Sequence, residues 1–268
     1  MLMKPSAAEK AGHFSNGWIT TSNVPNKKLR LFCLPYAGGG TATYRNWQKA
    51  VRAGIEVCPV RLPGREMRIK DKPIEEWGMM VQSIIAALTP VLAQPYALFG
   101  HSMGGLLAYL VACEIRDRRL PLPRHLFVSA RTAPQIVRCV LSKPVSELSD
   151  AEFLQEVAAT VNSSLMDFSA ESELLALVLP ALRSDFQMLQ RYSYVPREPL
   201  PFPITALGGT SDPTVSEADL QPWAECTTAA FSLETLEGDH FFVNNPGLAI
   251  KVINSKLEAL LYSLPAIR

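Results

Sequence analysis

Gly100-His101-Ser102-Met103-Gly104-Gly105 follows a short apolar run, Ala97-Leu98-Phe99, and precedes Leu106, Leu107, Tyr109, Leu110 and Val111. Read in order these are a strand, a G-x-S-x-G turn and the opening of a helix, the context in which a serine stands exposed above a sheet. Gly100 and Gly104 leave space for so tight a turn because neither has a side chain. The turn also sets Ser102 at a helix N-terminus, where free N–H groups and the helix dipole favour developing negative charge. An ordinary glycine-rich start of a helix is the bland alternative; the flanking strand and helix favour a nucleophile.

A serine hydroxyl needs a base within hydrogen-bond reach, most often a histidine oriented by a buried carboxylate. The chain has only four histidines. His13 lies in a polar N-terminal stretch, His101 adjoins the nucleophile, and His125 opens an apolar strand after Pro121 and Pro123. His240, in Leu236-Glu237-Gly238-Asp239-His240-Phe241-Phe242, follows the last strand pattern and is the candidate base. The acid is expected after the penultimate strand, where Ile204 to Gly208 leads through Gly209-Thr210-Ser211 to Asp212. Asp239 is the rival carboxylate, but its adjacency to His240 makes it harder to span the back of the imidazole.

Negative charge on the attacked oxygen calls for two N–H donors, one from the residue after the nucleophile and one from an early loop. Met103 supplies the first. Leu34-Pro35-Tyr36-Ala37-Gly38-Gly39-Gly40 supplies the second through Ala37, with Tyr36 beside it. These glycines match neither G-x-G-x-x-G nor G-x-x-x-x-G-K-[ST], so a phosphate cradle is disfavoured.

The elements that must position these groups follow from the apolar pattern. β-type runs at Leu29 to Leu34, Ile55 to Val60, Tyr96 to Gly100, His125 to Ala130, Ile204 to Gly208 and Phe231 to Leu236 alternate with helical patterns. The helices are expected at Tyr44 to Val51, Ile74 to Leu92, Met103 to Arg118, Glu217 to Glu225 and Pro246 to Leu264. Such alternation predicts an α/β fold, a mainly parallel sheet flanked by helices. Between Ser142 and Pro203 no strand pattern occurs. Two helical patterns stand there instead, one opened by a Ser149-x-x-Glu152 capping box and running to about Val161, the other from about Ser172 to Tyr192. The expectation is an N-terminal tail over 1–27, one domain over 28–268, and a helical lid insertion at about 142–203 over the carboxyl edge of the sheet.

Composition narrows the function classes. Hydrophobic residues are 48% and charged residues 19% of 268, enough to bury one large core, and a net charge of +1 offers nothing general to nucleic acid or an anionic membrane surface. The five cysteines are dispersed, without CxxC pairs, which reads as reduced and buried in a cytoplasmic protein. Met1 to Lys10 carries no apolar core of a signal peptide, and the longest apolar stretch is too short to cross a bilayer. Arg61, Arg65, Arg68, Lys70 and Lys72 form a basic stretch interleaved with Glu66 and Asp71. It reads first as solvated loop charge and second as a docking surface for an acidic partner, with Arg65 and Arg68 as the contact candidates.

Together, Leu34 to Gly40, Arg61-Leu62-Pro63-Gly64-Arg65-Glu66, Gly100 to Gly105, Ser129-Ala130-Arg131, Gly208 to Pro213 and Gly238 to Phe242 resemble the type II thioesterases of nonribosomal peptide and polyketide synthetases. The resemblance covers about residues 28 to 262 and extends to siderophore-pathway members of the yersiniabactin type. It implies the α/β-hydrolase fold, a nucleophile at Ser102, an acid at Asp212, a base at His240, and oxyanion donors at Ala37 and Met103. It further implies substrates held as acyl or aminoacyl thioesters on the phosphopantetheine arm of carrier proteins, with no metal or cofactor, and a monomer is favoured. Tyr36 stands where histidine is frequent and Asp239 where glycine is frequent, both at the pocket mouth. A medium-chain acyl-carrier thioesterase or general esterase would use the same groups, and a non-catalytic carrier-binding partner could keep the fold.

Overall fold

A computed structural model describes residues 15–21, 24–138, 141–161 and 173–267. Six strands pair in parallel: β1 (Leu29–Leu34), β2 (Ile55–Pro59), β3 (Tyr96–His101), β4 (Leu126–Ser129), β5 (Ile204–Gly209) and β6 (Phe231–Leu236). Their order is β2-β1-β3-β4-β5-β6. β1 to β5 are buried along nearly their whole length because both faces are covered, whereas the edge strand β6 alternates polar and apolar residues and is only half-buried. On one face Phe32, Leu34 and Leu98 meet α1 (Trp77–Leu88) and α2 (Met103–Asp117). On the other, Leu29, Leu31, Ala97 and Phe99 meet Ile250, Ile253 and Leu257 of α6 (Pro246–Ser263).

The chain reverses its direction of winding between β1 and β3, and at such a switch point the loops leaving the two strands diverge to open a crevice. Register puts Leu34 beside Gly100, so the loop carrying Ala37 and the turn carrying Ser102 leave the sheet side by side.

The helices α3 (Asp150–Val161) and α4 (Glu173–Gln190) lie between β4 and β5 in the chain. The Ser149 capping box forms as expected: Glu152 accepts the Ser149 N–H at 2.8 Å, and Ser149 Oγ accepts the Glu152 N–H at 3.3 Å. Phe153 and Phe186, edge to face at 5.5 Å, anchor a third apolar cluster formed with Val157, Leu179 and Leu182. The segment 162–172, where the second helical pattern was expected to begin, lies outside the described residues.

Three expected helices differ. Tyr44 to Val51 is the end of one 3-10 turn, Thr41–Tyr44, and a second, Trp47–Lys49; Tyr44 and Trp47 both reach Phe99, at 6.0 and 4.8 Å between ring centres. The helix expected from Ile74 begins at Trp77, because the Ile74 carbonyl is taken by the Ser184 hydroxyl of α4 at 3.1 Å. That expected over Glu217 to Glu225 is α5 (Glu217–Leu220) followed by a 3-10 segment Gln221–Cys226, where Pro222 has no N–H to continue an α-helix. In the N-terminal stretch, Ile19 is buried and bridges Val60, so the described part packs against the sheet edge.

Phe99 fills the space between Tyr44, Trp47 and α6. Phe99→Ala should lower unfolding free energy by about 3–5 kcal/mol, seen in urea melts as a lower midpoint at unchanged slope; a loss below about 1 kcal/mol would mean that this aromatic cluster does not close the core.

Candidate active site

Ser102 caps α2 with φ 53°, a left-handed conformation rare for a side-chain-bearing residue. Steric relief at two glycines permits it. A Cβ on Gly100 would come within 1.9 Å of the Gly104 carbonyl oxygen, and one on Gly104 within 2.2 Å of the Leu34 carbonyl oxygen. The first turn of α2 therefore sits directly on the end of β1. The Ser102 N–H donates to the Ser129 carbonyl at 2.7 Å, fixing the turn to β4.

His240 is buried, with Nε2 3.0 Å from Ser102 Oγ and Nδ1 2.8 Å from Asp212 Oδ2. These partners set the tautomer: Nδ1–H donates to the carboxylate and Nε2 accepts from the serine. Burial pushes the Asp212 carboxyl up, but hydrogen bonds from His240 and from Thr214 outweigh it and hold the group below its ordinary value. Thr214 was not legible as part of this set. It gives Asp212 Oδ1 its N–H at 2.8 Å and its hydroxyl at 2.7 Å, while its Oγ1 lies 3.0 Å from His240 Nδ1. The signal was there in Asp212-Pro213-Thr214, since an aspartate at a turn binds the N–H two residues on. Asp239 is exposed and accepts the Phe241 N–H at 2.8 Å, so the rival carboxylate is occupied elsewhere.

His101 is the second histidine of the site and does not face the nucleophile. It donates Nε2–H to the His240 carbonyl at 2.8 Å and accepts at Nδ1 from Ser129 Oγ at 2.9 Å. Burial is the main cause that draws its pKa down to about 3, and the nearby His240 adds to it. A neutral imidazole thus holds the backbone of the His240 loop from below. Tyr36 stands edge-on to His101 and Phe241, at 5.9 and 5.1 Å.

A cavity of about 360 Å³ opens over Ser102 and His240, and its wall includes Tyr36, Ala37 and Arg131, with Val157 from α3 and Phe186 from α4. Among the described residues, neither the Ala37 nor the Met103 N–H donates to a protein acceptor, although Met103's side chain is fully buried. No cluster of histidine, cysteine or carboxylate among the described residues could hold a metal ion.

A model of the thioesterase domain matches residues 29–257. The chain belongs to the thioesterase domain family. It is therefore a hydrolase of thioesters with the α/β-hydrolase architecture. The gramicidin S biosynthesis protein GrsT of Aneurinibacillus migulanus is 39% identical over 229 residues, covering 85% of this chain and 88% of that protein. A Brevibacillus parabrevis protein named linear gramicidin dehydrogenase LgrE is 37% identical over 249 residues, 91% of this chain and 94% of its own. Among solved structures, the RedJ thioesterase from the prodiginine pathway of Streptomyces coelicolor superposes with a TM-score of 0.78 at 36% identity, covering 86% of this chain and 87% of that one. YbtT, the type II thioesterase of the yersiniabactin pathway, is 24% identical and shares the fold.

Within the basic stretch of this thioesterase Lys70 and Lys72 are exposed, but Arg65 and Arg68 behave differently from either expectation. Arg65 is buried, not solvated and not available for docking: its guanidinium forms a two-pronged pair with Asp185 of α4 at 2.7 and 2.8 Å and also reaches the Gly39 carbonyl at 3.0 Å. Asp185 Oδ2 accepts the Gly38 N–H at 2.8 Å. The loop bearing Ala37 is thus gripped on both sides of Gly38 by one buried ion pair between the Pro63-Gly64-Arg65 loop and α4. Arg68 lies over the Trp18 ring at 4.1 Å and pairs with Asp71 at 2.7 Å, so it too is engaged within the chain. Asp185 carried no signal in the sequence, standing in a helical pattern without a recognisable motif.

Removing one partner leaves the other charge buried alone. Asp185→Ala should cost about 3–5 kcal/mol, and removal of Arg65 and Asp185 together should cost less than the sum of the single losses; strictly additive losses in denaturant melts would contradict the coupling.

His101 stays neutral in the folded chain down to about pH 3 but protonates near 6.5 when unfolded. Between those values the unfolded chain binds more protons, so stability should fall on acidification by about 1.4 kcal/mol per pH unit for this one group. His125, drawn down to about 4 mainly by burial, adds to the same limb. His101→Gln should flatten the acid limb of thermal stability against pH, and an unchanged slope would exclude a buried neutral imidazole.

Proposed function

We propose that this thioesterase removes acyl and aminoacyl groups from the phosphopantetheine arm of carrier proteins, clearing stalled or misloaded nonribosomal peptide or polyketide synthetases. The observation that carries the chemistry is the unbroken hydrogen-bond chain from Ser102 through His240 to Asp212, with the Ala37 and Met103 N–H groups free of protein acceptors among the described residues. His240 takes the proton from Ser102 Oγ, which attacks the thioester carbonyl carbon. Ala37 and Met103 donate to the developing oxyanion, and the thiol leaves with the proton returned by His240. Water, deprotonated by the same imidazole, then releases the acid from the acyl-enzyme. Asp212, low in pKa, stabilises the imidazolium at each stage.

The biosynthetic context is supported by the relatives: GrsT is named for gramicidin S biosynthesis, RedJ for a prodiginine pathway. The name of LgrE points to a dehydrogenase, but the glycine loop after β1 here lacks the G-x-G-x-x-G spacing of a dinucleotide cradle. Helices α3 and α4 serve as the lid, with Val157 and Phe186 as its inner wall. The described cysteines, Cys33, Cys58, Cys113 and Cys226, are free and buried, which fits work in a reducing cytoplasm.

Ser102→Ala should lower hydrolysis of an acyl-carrier thioester by several orders of magnitude, toward the ~10⁶ lost when triad nucleophiles are removed elsewhere. A serine-directed phosphonate should label Ser102 in the native chain. Near-native turnover by the alanine variant would reject the assignment, and a sharp preference for medium fatty-acyl carriers over short acyl and aminoacyl ones would point to fatty-acid chain termination instead.

A further inference from the structure

Within Ser129-Ala130-Arg131 every residue has a backbone duty, the Arg131 carbonyl accepting the Trp223 indole N–H at 2.8 Å, but the Arg131 guanidinium has none. Ser129 holds the Ser102 N–H with its carbonyl and His101 with its hydroxyl. Ala130, at φ 48°, turns the chain out of β4, and Arg131 follows in the wall of the cavity over Ser102. Arg131 Nε is shut off from solvent and has no acceptor. Among the described residues its guanidinium makes no hydrogen bond and no ion pair.

Every other arginine near the site is satisfied. Arg138, also in the cavity wall, is paired with Asp219 through two hydrogen bonds, Arg65 is paired with Asp185, and Arg183 donates to Asp150 and two carbonyls. Burial draws the Arg131 pKa down to about 10, which still leaves it cationic at neutral pH. A partly buried charge without a partner is costly, and chains retain one where the partner comes with the ligand.

We propose that Arg131 is an anion subsite, pairing with a carboxylate or phosphate that the thioester substrate itself carries. Since Arg131 shares one cavity with the nucleophile, the free carboxylate of a dicarboxylic acyl group is the favoured source, and the phosphate of the pantetheine arm is the other. This rests on the thioesterase reading and adds a substrate class to it: acyl groups with a negative charge a few bonds from the thioester.

Succinyl and butyryl thioesters of N-acetylcysteamine have the same chain length and differ by one carboxylate; butyryl-pantetheine and butyryl-4′-phosphopantetheine differ by one phosphate. With the full chain, Arg131→Gln should lower the succinyl-to-butyryl ratio of kcat/KM by about ten- to a hundredfold, the worth of a hydrogen bond to a charged group, and Arg131→Lys should restore part of it. A fall confined to the phosphopantetheine-to-pantetheine ratio would assign the subsite to the arm. Both ratios unchanged, or all four substrates slowed alike, would overturn it. An independent check leaves Arg131 in place: the Ser102→Ala chain should be protected against thermal unfolding more by the succinyl than by the butyryl thioester, and equal shifts would count against an acyl-side anion site. Inertness of the native chain toward all four thioesters would instead overturn the hydrolase reading beneath it.

Discussion

The whole site depends on a backbone contact. The first turn of α2 rests on the ends of β1 and β3 so closely that no side chain fits at Gly104, against the Leu34 carbonyl, or at Gly100, against the Gly104 carbonyl. That contact brings the turn after β3, with its serine in a left-handed conformation, against the loop after β1, whose Ala37 N–H has no protein acceptor among the described residues. The strain at Ser102 is held by the surrounding order, through the Ser129 carbonyl and the helix that begins at Met103. A parallel sheet with a reversal of winding between β1 and β3 is what makes the two loops neighbours.

Around this contact the electrostatics are arranged by unequal burial of similar groups. Two imidazoles lie with ring centres 5.5 Å apart. His101, walled into the core, is kept neutral and serves as a strut for the His240 carbonyl. His240, facing the cavity, is bracketed by a hydroxyl and a carboxylate. Asp212 keeps its charge despite burial because Thr214 and His240 supply donors to both of its oxygens. The loops after β5 and β6, which bring these side chains together, are tied to one another by the Ser211 N–H to the Gly238 carbonyl at 2.9 Å.

What could be read from the sequence follows the reach of each signal. Apolar β-type runs located the six described strands, because strands buried on both faces leave a dense local imprint. The meeting of Ser102, Asp212 and His240 was legible since each sits just after a strand, at the edge where parallel strands end together. Tyr44 to Val51 was misread because a helical spacing of aromatics does not separate 3.6 from 3.0 residues per turn. The roles of Arg65 and Asp185 were invisible for a different reason. A buried pair formed between residues 120 positions apart leaves no periodicity, and a loop arginine among other charges looks the same whether it is solvated or enclosed.

That ion pair sets a mechanical bound on the two helices between β4 and β5. Asp185 belongs to α4, yet its oxygens hold both Arg65 and the amide of Gly38, next to Ala37. If α4 swung outward as a unit, it would have to drag the Ala37 loop along or abandon a guanidinium in an apolar interior. An outward swing of α4 and the present position of the Ala37 loop therefore exclude one another, and a ligand that reaches Ser102 with that loop in place must take a path that leaves the middle of α4 where it is.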